Sequence, residues 1–350
     1  MKPDCHRRRG VGAILAFFVL ASMHAGELVT LSGRAMGTTW AVKFLPVDQS
    51  IEVHAIERRI SERLEQLEQE FSTFRPTSEI SRFNAAPDAQ DWRPVSAEFA
   101  AVAAMARAIG ESTAGAFDPT VEPLVRLWGF GPAEARASPP TSAEIAAACL
   151  RVGWRDLETQ HAAIRRTRSG VTIDLSSIAK GFASDALGEL LVSRGVTNYF
   201  VQVGGDVKTG GGGAGGEPWR VGIESPAEGA RGVAAVVALN GLAVSTSGNY
   251  RNFVKIGGRR LGHIIDPRSG VPVENELAAV TVVHASCALS SAWATALFVL
   301  GSAEGRAAAE RERMACLFFV RGKNGEIGQQ TTAQFQKLVA NPGVAVLPPR

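Results

Sequence analysis

The sequence predicts an α+β fold: mixed, largely antiparallel sheets with packed helices, forming two lobes of a single domain. Three observations carry this. Residues 51–71 place apolar side chains at helical spacing, while short strand-like runs recur elsewhere in the same chain. The runs between 199 and 265 succeed one another with no helix between them, which argues against a doubly wound parallel sheet. No composition break and no repeat period divides the chain.

The bulk composition agrees. The chain has 350 residues, 45% hydrophobic and 20% charged, which excludes a disordered or collagen-like protein. Its length supplies ample core. A formal net charge of +3 does not by itself predict a nucleic-acid surface. Thirty-seven glycines point to many tight turns, or to backbone that approaches a ligand closely.

Taken in order, the chain opens with Arg7, Arg8 and Arg9 ahead of an apolar run over 11–23. The run is too short for an ordinary membrane-spanning helix and reads as a secretory signal ending at Ala25. An uncleaved anchor helix is the alternative. No Leu-x-x-Cys lipobox follows, and Cys5 precedes the run, so the expectation is a soluble periplasmic protein rather than a lipoprotein. Lys2, the three arginines and Asp4 all lie in this segment. Without it, a chain of 37 basic and 34 acidic residues becomes formally neutral. Three cysteines remain, Cys149, Cys287 and Cys316, with no metal-type C-x-x-C pair. Cys287 and Cys316 sit in apolar strings and read as small buried side chains.

Residues 28–44 form two strand-like runs about a turn at 33–37. In 51–71, Val53, Ile56, Ile60, Leu64, Leu67 and Phe71 mark one helical face. Residues 96–110 are an Ala-rich helix with Gly110 as its C-cap. Residues 115–132 read as irregular, and 133–145 as a linker or the start of a surface helix. A strand is expected over 170–175, a helix over 179–195 and a buried strand over 199–203. The glycine-rich 210–216 suggests a mobile hairpin tip. A strand over 280–284, a helix over 289–301 and a last strand over 317–321 follow. The expected division is a signal over 1–25, the domain over 26–335 and a tail over 336–350.

Four segments carry chemistry. In Ile173-Asp174-Leu175-Ser176-Ser177-Ile178-Ala179-Lys180-Gly181, a strand end leads into a helix start whose amides and lysine suit an anion. Alone, it reads equally as an N-cap with a surface lysine. In Val203-Gly204-Gly205-Asp206, paired glycines permit close backbone approach to a ligand, with Asp206 as a polar anchor. A plain hairpin bend is the simpler reading. Neither a Walker loop nor a G-x-G-x-x-G fingerprint occurs. The hydroxyl-rich 245–250 precedes His263 and Asp266. Histidine is the usual general base near neutral pH, though a lone one is more often structural. On a straight strand, residues 263 and 266 face opposite sides, so only a bend at Pro267 would return Asp266 to the site. In 290–296, Ser291 and Thr295 share a helix face and read alone as packing.

In order and wording these segments, with Met36-Gly37-Thr38, Phe71-Ser72-Thr73-Phe74, Ser78-Glu79-Ile80-Ser81-Arg82-Phe83-Asn84 and Trp128-Gly129-Phe130-Gly131, resemble the ApbE family of FAD:protein FMN transferases over about residues 28–335. The resemblance implies an α+β fold that binds FAD with Mg2+ bridging the diphosphate. FMN would pass to a Thr or Ser hydroxyl of a client electron-transfer protein, with release of AMP. Met36, Phe74, Ala116, Phe117 and Asp118 would hold FAD, and Asp174 and Lys180 would flank the nucleotide. Gly204, Gly205, Asp206 and Ser247 complete the expected cofactor set. The Ser177 carbonyl, Ser291 and Thr295 fall at metal positions. His263 is the expected base, also touching cofactor, with Lys180 as its catalytic companion. The expected partners are FAD and the client, with no nucleic acid, and membrane contact only through the client. The missing lipobox is closest to the exported accessory type linked to nitrous-oxide reduction.

One position departs from the family pattern, which usually has a metal-binding Asp where this chain has Ser291. A hydroxyl is the weaker ligand for Mg2+. Asp266 is a candidate to compensate. A non-catalytic FAD-binding accessory protein and an FAD pyrophosphatase that releases FMN and AMP are therefore the alternatives to transfer.

Overall fold

The computed structural model describes residues 26–46, 51–87, 90–132, 136, 138–227, 232–249, 253–256 and 259–340. The expected signal, Cys5, Tyr250 and residues 341–350 lie outside them, as does part of the 133–145 segment.

An eight-stranded sheet organises the chain. Its strands run, edge to edge, Val29–Ala35, Thr38–Phe44, Tyr199–Val203, Asp206–Gly210, Ala243–Gly248, Leu277–His284, Ala315–Arg321 and Ile327–Thr331. Every neighbouring pair is antiparallel, so the α+β expectation holds. Smaller antiparallel ladders flank it, among them Trp219–Glu224 with Val233–Leu239 and Arg259–Gly262 with Phe253–Ile256.

Both faces of the sheet are covered. In Ala315–Arg321, Cys316 and Phe318 pack into the main core, while Leu317 and Phe319 pack on the other side with Val221, Val237 and Phe335. Strands covered on both sides need apolar residues at nearly every position, which accounts for the unbroken apolar runs at 277–280 and 316–320. The helix Ala333–Val339, which contributes Phe335, continues past residue 335.

The main core lies between the sheet and four long helices. Val53–Phe71 buries Ile56, Ile60, Leu64, Leu67 and Phe71, the face expected from its spacing. Phe71 stacks on Phe99 with centroids 5.6 Å apart and meets Phe182 edge-on at 5.8 Å, joining this helix to Ala97–Ser112 and Ser176–Ser193. Cys287–Arg311 is apolar and long enough to cross a membrane, yet 67% of its most apolar stretch is buried in the protein. A third, smaller cluster gathers Leu124, Trp128, Ala148, Ile256, Leu261 and Ile265 into a separate lobe. Trp128 Nε1 fastens it by donating to Gly270 O at 2.8 Å.

Several boundaries differ from expectation, each for a local reason. The first hairpin turns at Met36-Gly37, not over 33–37, because Gly33 belongs to a strand on which the Trp40 indole lies. Gly110 does not end its helix. The helix runs to Ser112, and Trp154 packs against the bare Gly110 Cα. Residues 142–149 form a helix closed by a Thr141–Glu144 capping box. The helix expected over 289–301 spans 287–311 with a break at Gly301 (φ 80°). Asn275 Nδ2 caps the first part at Phe298 O (2.8 Å), and Glu276 Oε1 accepts from Ser302 N (2.9 Å) to start the second. In 210–216, Gly210 closes a strand beneath the Tyr199 ring, and Ala214–Gly216 is a 3-10 turn. Cys149, Cys287 and Cys316 are all free thiols.

Glu70, near the end of Val53–Phe71, is a built-in electrostatic liability. Burial, then Glu98 and Glu79, push its carboxyl up from 4.5 to about 7, with Arg63 opposing. A group with a raised folded-state pKa contributes fully below its unfolded pKa, and the contribution is lost as pH rises through the folded value. Glu70→Gln should therefore raise Tm at about pH 8 and leave it nearly unchanged at about pH 4, below the unfolded value of 4.5, where Glu70 is largely protonated in both states. Thermal melts at the two pH values check this, and equal shifts at both would refute it.

Candidate active site

The site grows from one close packing contact. Helices Ser176–Ser193 and Cys287–Arg311 touch at Gly181. A Cβ there would stand 2.7 Å from the Cys287 carbonyl carbon, and closer to its oxygen. One turn further, Asp185 accepts from Ser286 Oγ (2.9 Å), Cys287 N (2.9 Å) and Ala288 N (3.0 Å). A carboxylate on the free amides of a helix start is favoured by both hydrogen bonding and the helix dipole. Glycine thus sets the approach, and Asp185 holds the second helix in register with the first. Ser177 and Lys180 are thereby brought alongside Ser291 and Thr295.

The strand expected over 170–175 is absent. Residues 171–175 join no ladder; a side chain takes the neighbour's place. Asn84 Nδ2 donates to Ile173 O, and Ile173 N donates to Asn84 Oδ1, both at 2.8 Å. Asp174 N donates to Pro119 O at 2.8 Å, tying the helix start to the 116–118 segment. Asp174 Oδ1 then accepts from Ser176 N (2.7 Å), and Lys180 Nζ donates to Ser176 O (2.9 Å). Both side chains lie at the helix start where they were expected.

Oxygens converge beside them. Ser291 Oγ lies 2.9 Å from Ser177 O and 3.2 Å from Asp206 Oδ2. Thr295 Oγ1 meets Ser247 Oγ at 3.0 Å and Ser291 O at 3.4 Å. Asp206 is 5% exposed. Burial raises its pKa, opposed first by the charge of Lys180 and then by hydrogen bonds from Ser245 and Ser291. Ligands about 2.1 Å from an octahedral Mg2+ sit about 3.0 Å apart along an edge. The oxygens present fit such an ion in type and spacing. Asp266 does not join them. Its carboxylate is held by Arg268 through Nε (2.9 Å), Nη2 (2.9 Å) and the backbone amide (3.0 Å), so it is not the compensating group suggested by sequence.

The Gly204 turn lies between the first hairpin and Lys180. Its amide donates to Thr39 O (2.8 Å), and a Cβ at Gly204 would meet the Thr38 side chain at 3.4 Å and Lys180 Cδ at 3.5 Å. Nothing stands within 4 Å of the open side of Gly205. Met36 adopts φ 51°, unusual without glycine, and its amide donates to the Glu68 carboxylate. Arg75 grips Glu68 and also Glu65. This chain links the Met36 turn to Phe74, which is 67% exposed. Glu68 was missed from sequence because it reads as one more charge on a helix surface.

Ala116 and Phe117 are buried. The Asp118 carboxylate turns inward to Thr120 N (2.8 Å), Thr120 Oγ1 (2.6 Å) and Trp154 N (2.9 Å), shaping the segment from within. His263 is half-buried in a bend between Arg259–Gly262 and Ile265–Asp266. The chain turns at His263 itself and not only beyond Asp266. Gly262 lies against the Asn249 side chain, whose Nδ2 donates to Val273 O (3.2 Å). Asn249 thereby holds the His263 segment to the strand end that bears Ser247.

Residues 36–318 match the sequence model of the ApbE family. The chain is 35% identical over 335 residues to the FAD:protein FMN transferase of Haemophilus influenzae, covering 94% of this chain and 96% of that one. It superposes on the flavin transferase ApbE from Vibrio cholerae with a TM-score of 0.83 at 34% identity, covering 89% and 99% of the two chains. The apo form of the Pseudomonas stutzeri flavinyl transferase ApbE gives 0.81 at 35% identity, covering 89% and 96%.

The Asp185 bracket makes a direct prediction. Asp185→Ala strips three donors at a helix start of their acceptor and should cost about 1–2 kcal/mol. Urea denaturation measures this, and an unchanged midpoint would reject the bracket.

Proposed function

The chain belongs to the ApbE family, and we propose that it transfers FMN from FAD to a Thr or Ser hydroxyl of a client protein, releasing AMP. The observation that carries the reading is the convergence of Ser177 O, Ser291 Oγ and a buried Asp206 carboxylate beside Thr295, Ser247 and Lys180. Phosphoryl transfer asks the protein mainly for positioning and charge neutralisation. Bound Mg2+ would supply neutralisation at the diphosphate, held by Ser177 O and the Ser291 and Thr295 hydroxyls. Lys180 adds a fixed cation next to that cluster. The turn at Gly204 and Gly205 lets backbone approach the nucleotide. Exposed Phe74 and the Met36 turn offer apolar surface to an isoalloxazine ring, and the Arg75–Glu68 pair keeps the two together.

His263 is assigned as the base. It takes the proton from the client hydroxyl as that oxygen bonds to the FMN phosphorus. The bond from this phosphorus to the bridging oxygen breaks, and AMP leaves with that oxygen. Water in place of the client hydroxyl would yield free FMN and AMP. The leader over 1–25 supports export to the periplasm, where the client would be a secreted or membrane-bound electron-transfer subunit. Its identity as part of a nitrous-oxide reduction system rests only on the family resemblance and the missing lipobox.

The test is incubation with FAD, Mg2+ and a client domain bearing an acceptor threonine. In-gel flavin fluorescence reads transfer, and chromatography reads AMP. Stoichiometric AMP and covalent flavin are expected. Free FMN without covalent flavin would indicate the pyrophosphatase, and neither product would leave a binding protein. His263→Ala should lower the transfer rate about 10²–10⁴-fold while FAD still quenches on binding. A near-normal rate would remove His263 from the chemistry.

A further inference from the structure

We infer that Asp206 supplies the charged metal ligand of this chain, in place of a carboxylate at position 291. The inference rests on the metal-dependent reading above.

The argument begins with proton counting. Ser291 has one hydroxyl proton and two acceptors, Ser177 O at 2.9 Å and Asp206 Oδ2 at 3.2 Å. The one hydrogen can serve only one of these two acceptors at a time. Three oxygens therefore converge at Ser291, with Ser245 as a further donor to the Asp206 carboxylate. A divalent cation resolves this arrangement, and the two separations bracket the edge of an octahedron of about 3.0 Å.

Asp206 is also built into place. It opens the strand Asp206–Gly210, pairs with Val203 across the turn, and has its carbonyl held by Ser184 Oγ at 3.1 Å. Ser184 lies on the helix that bears Ser177, so ligand and scaffold move as one unit. Rigid support of this kind is what a metal ligand needs. The alternative carboxylate, Asp266, is committed to Arg268. Asp174 caps Ser176 N at 2.7 Å, and Asp185 is occupied by the start of the second helix. Asp206 is the acid in contact with Ser291.

Mn2+ binding to the full chain with FAD bound tests the assignment, counted by loss of the free Mn2+ signal in room-temperature electron paramagnetic resonance. One tight Mn2+ is expected for the unaltered protein. Asp206→Asn should weaken it at least about tenfold, as expected for loss of a charged ligand. Adding Ser291→Asp to that variant should recover most of the affinity. Circular dichroism confirms folding. If Asp206→Asn does not fold, Ser291→Asp alone decides, since a second carboxylate at the ion should tighten Mn2+ by about tenfold. A folded Asp206→Asn protein that binds Mn2+ normally overturns the assignment and leaves the transferase reading standing. No effect of Ser291→Asp overturns it equally. An unaltered protein that binds no Mn2+, yet flavinylates its client in EDTA, overturns both this inference and the metal dependence proposed above.

Discussion

The site depends on how closely two helices approach. Gly181 lets the start of Cys287–Arg311 rest on Ser176–Ser193, and a methyl group there would press into the Cys287 peptide. Interiors packed to crystal-like density pass such a displacement on to their neighbours. Asp185 then fixes the second helix against sliding, through three hydrogen bonds at its N-terminus. Every oxygen of the proposed metal site rides on one of these helices, or on the strands they cover. The contact is remote from any reacting atom, yet it sets the separation of Ser177 from Ser291.

The sheet serves the same end from below. Ser247 lies on Ala243–Gly248 and Asp206 opens Asp206–Gly210, strands that are neighbours in the sheet. Their ends present side chains upwards to the helix pair. Burial on both faces leaves the sheet little freedom to flex, since Phe318 and Phe319 are anchored in separate clusters. The smaller lobe, by contrast, holds only a few buried apolar residues. It carries His263 in a bend, joined to the sheet through Asn249. The proposed metal platform on the sheet and the proposed base on a lighter lobe suit a reaction whose second substrate is a folded protein that must enter and leave.

Much of this was legible in the sequence where a pattern has one physical meaning. The buried stripe of Val53–Phe71 and the strand Tyr199–Val203 follow from periodicity alone. The remainder required tertiary context. Residues 170–175 have strand composition, but their partner is the Asn84 amide, which no periodicity reveals. Gly110 looks like a helix stop and is instead a seat for Trp154. In the site, Asp174, Lys180, Ser177 and Thr295 stand at the two helices as expected, because their local segments already fixed helix start and face. Glu68 was invisible, since its role is to hold the Met36 amide across a fold contact. The choice between Asp206 and Asp266 was equally beyond the sequence, because it turns on which carboxylate Arg268 captures.

Charge explains why a hydroxyl is tolerable at Ser291. Residues 26–350 are formally neutral, so an anionic dinucleotide gains nothing there from a general basic field. Neutralisation would have to be local, from Lys180 and, on the proposed reading, a bound cation. In that setting a second carboxylate about 3 Å from Asp206 would force one of the two to keep its proton until metal arrived. With Ser291 the cluster holds one buried acid, whose burial still raises its pKa against the opposing charge of Lys180 and donated hydrogen bonds. The metal-free fold is thereby relieved of like-charge repulsion, at the expense of one charged ligand. On the proposed metal-dependent reading, ion affinity is exchanged for a site that is already assembled, and an incoming diphosphate would supply the remaining negative charge.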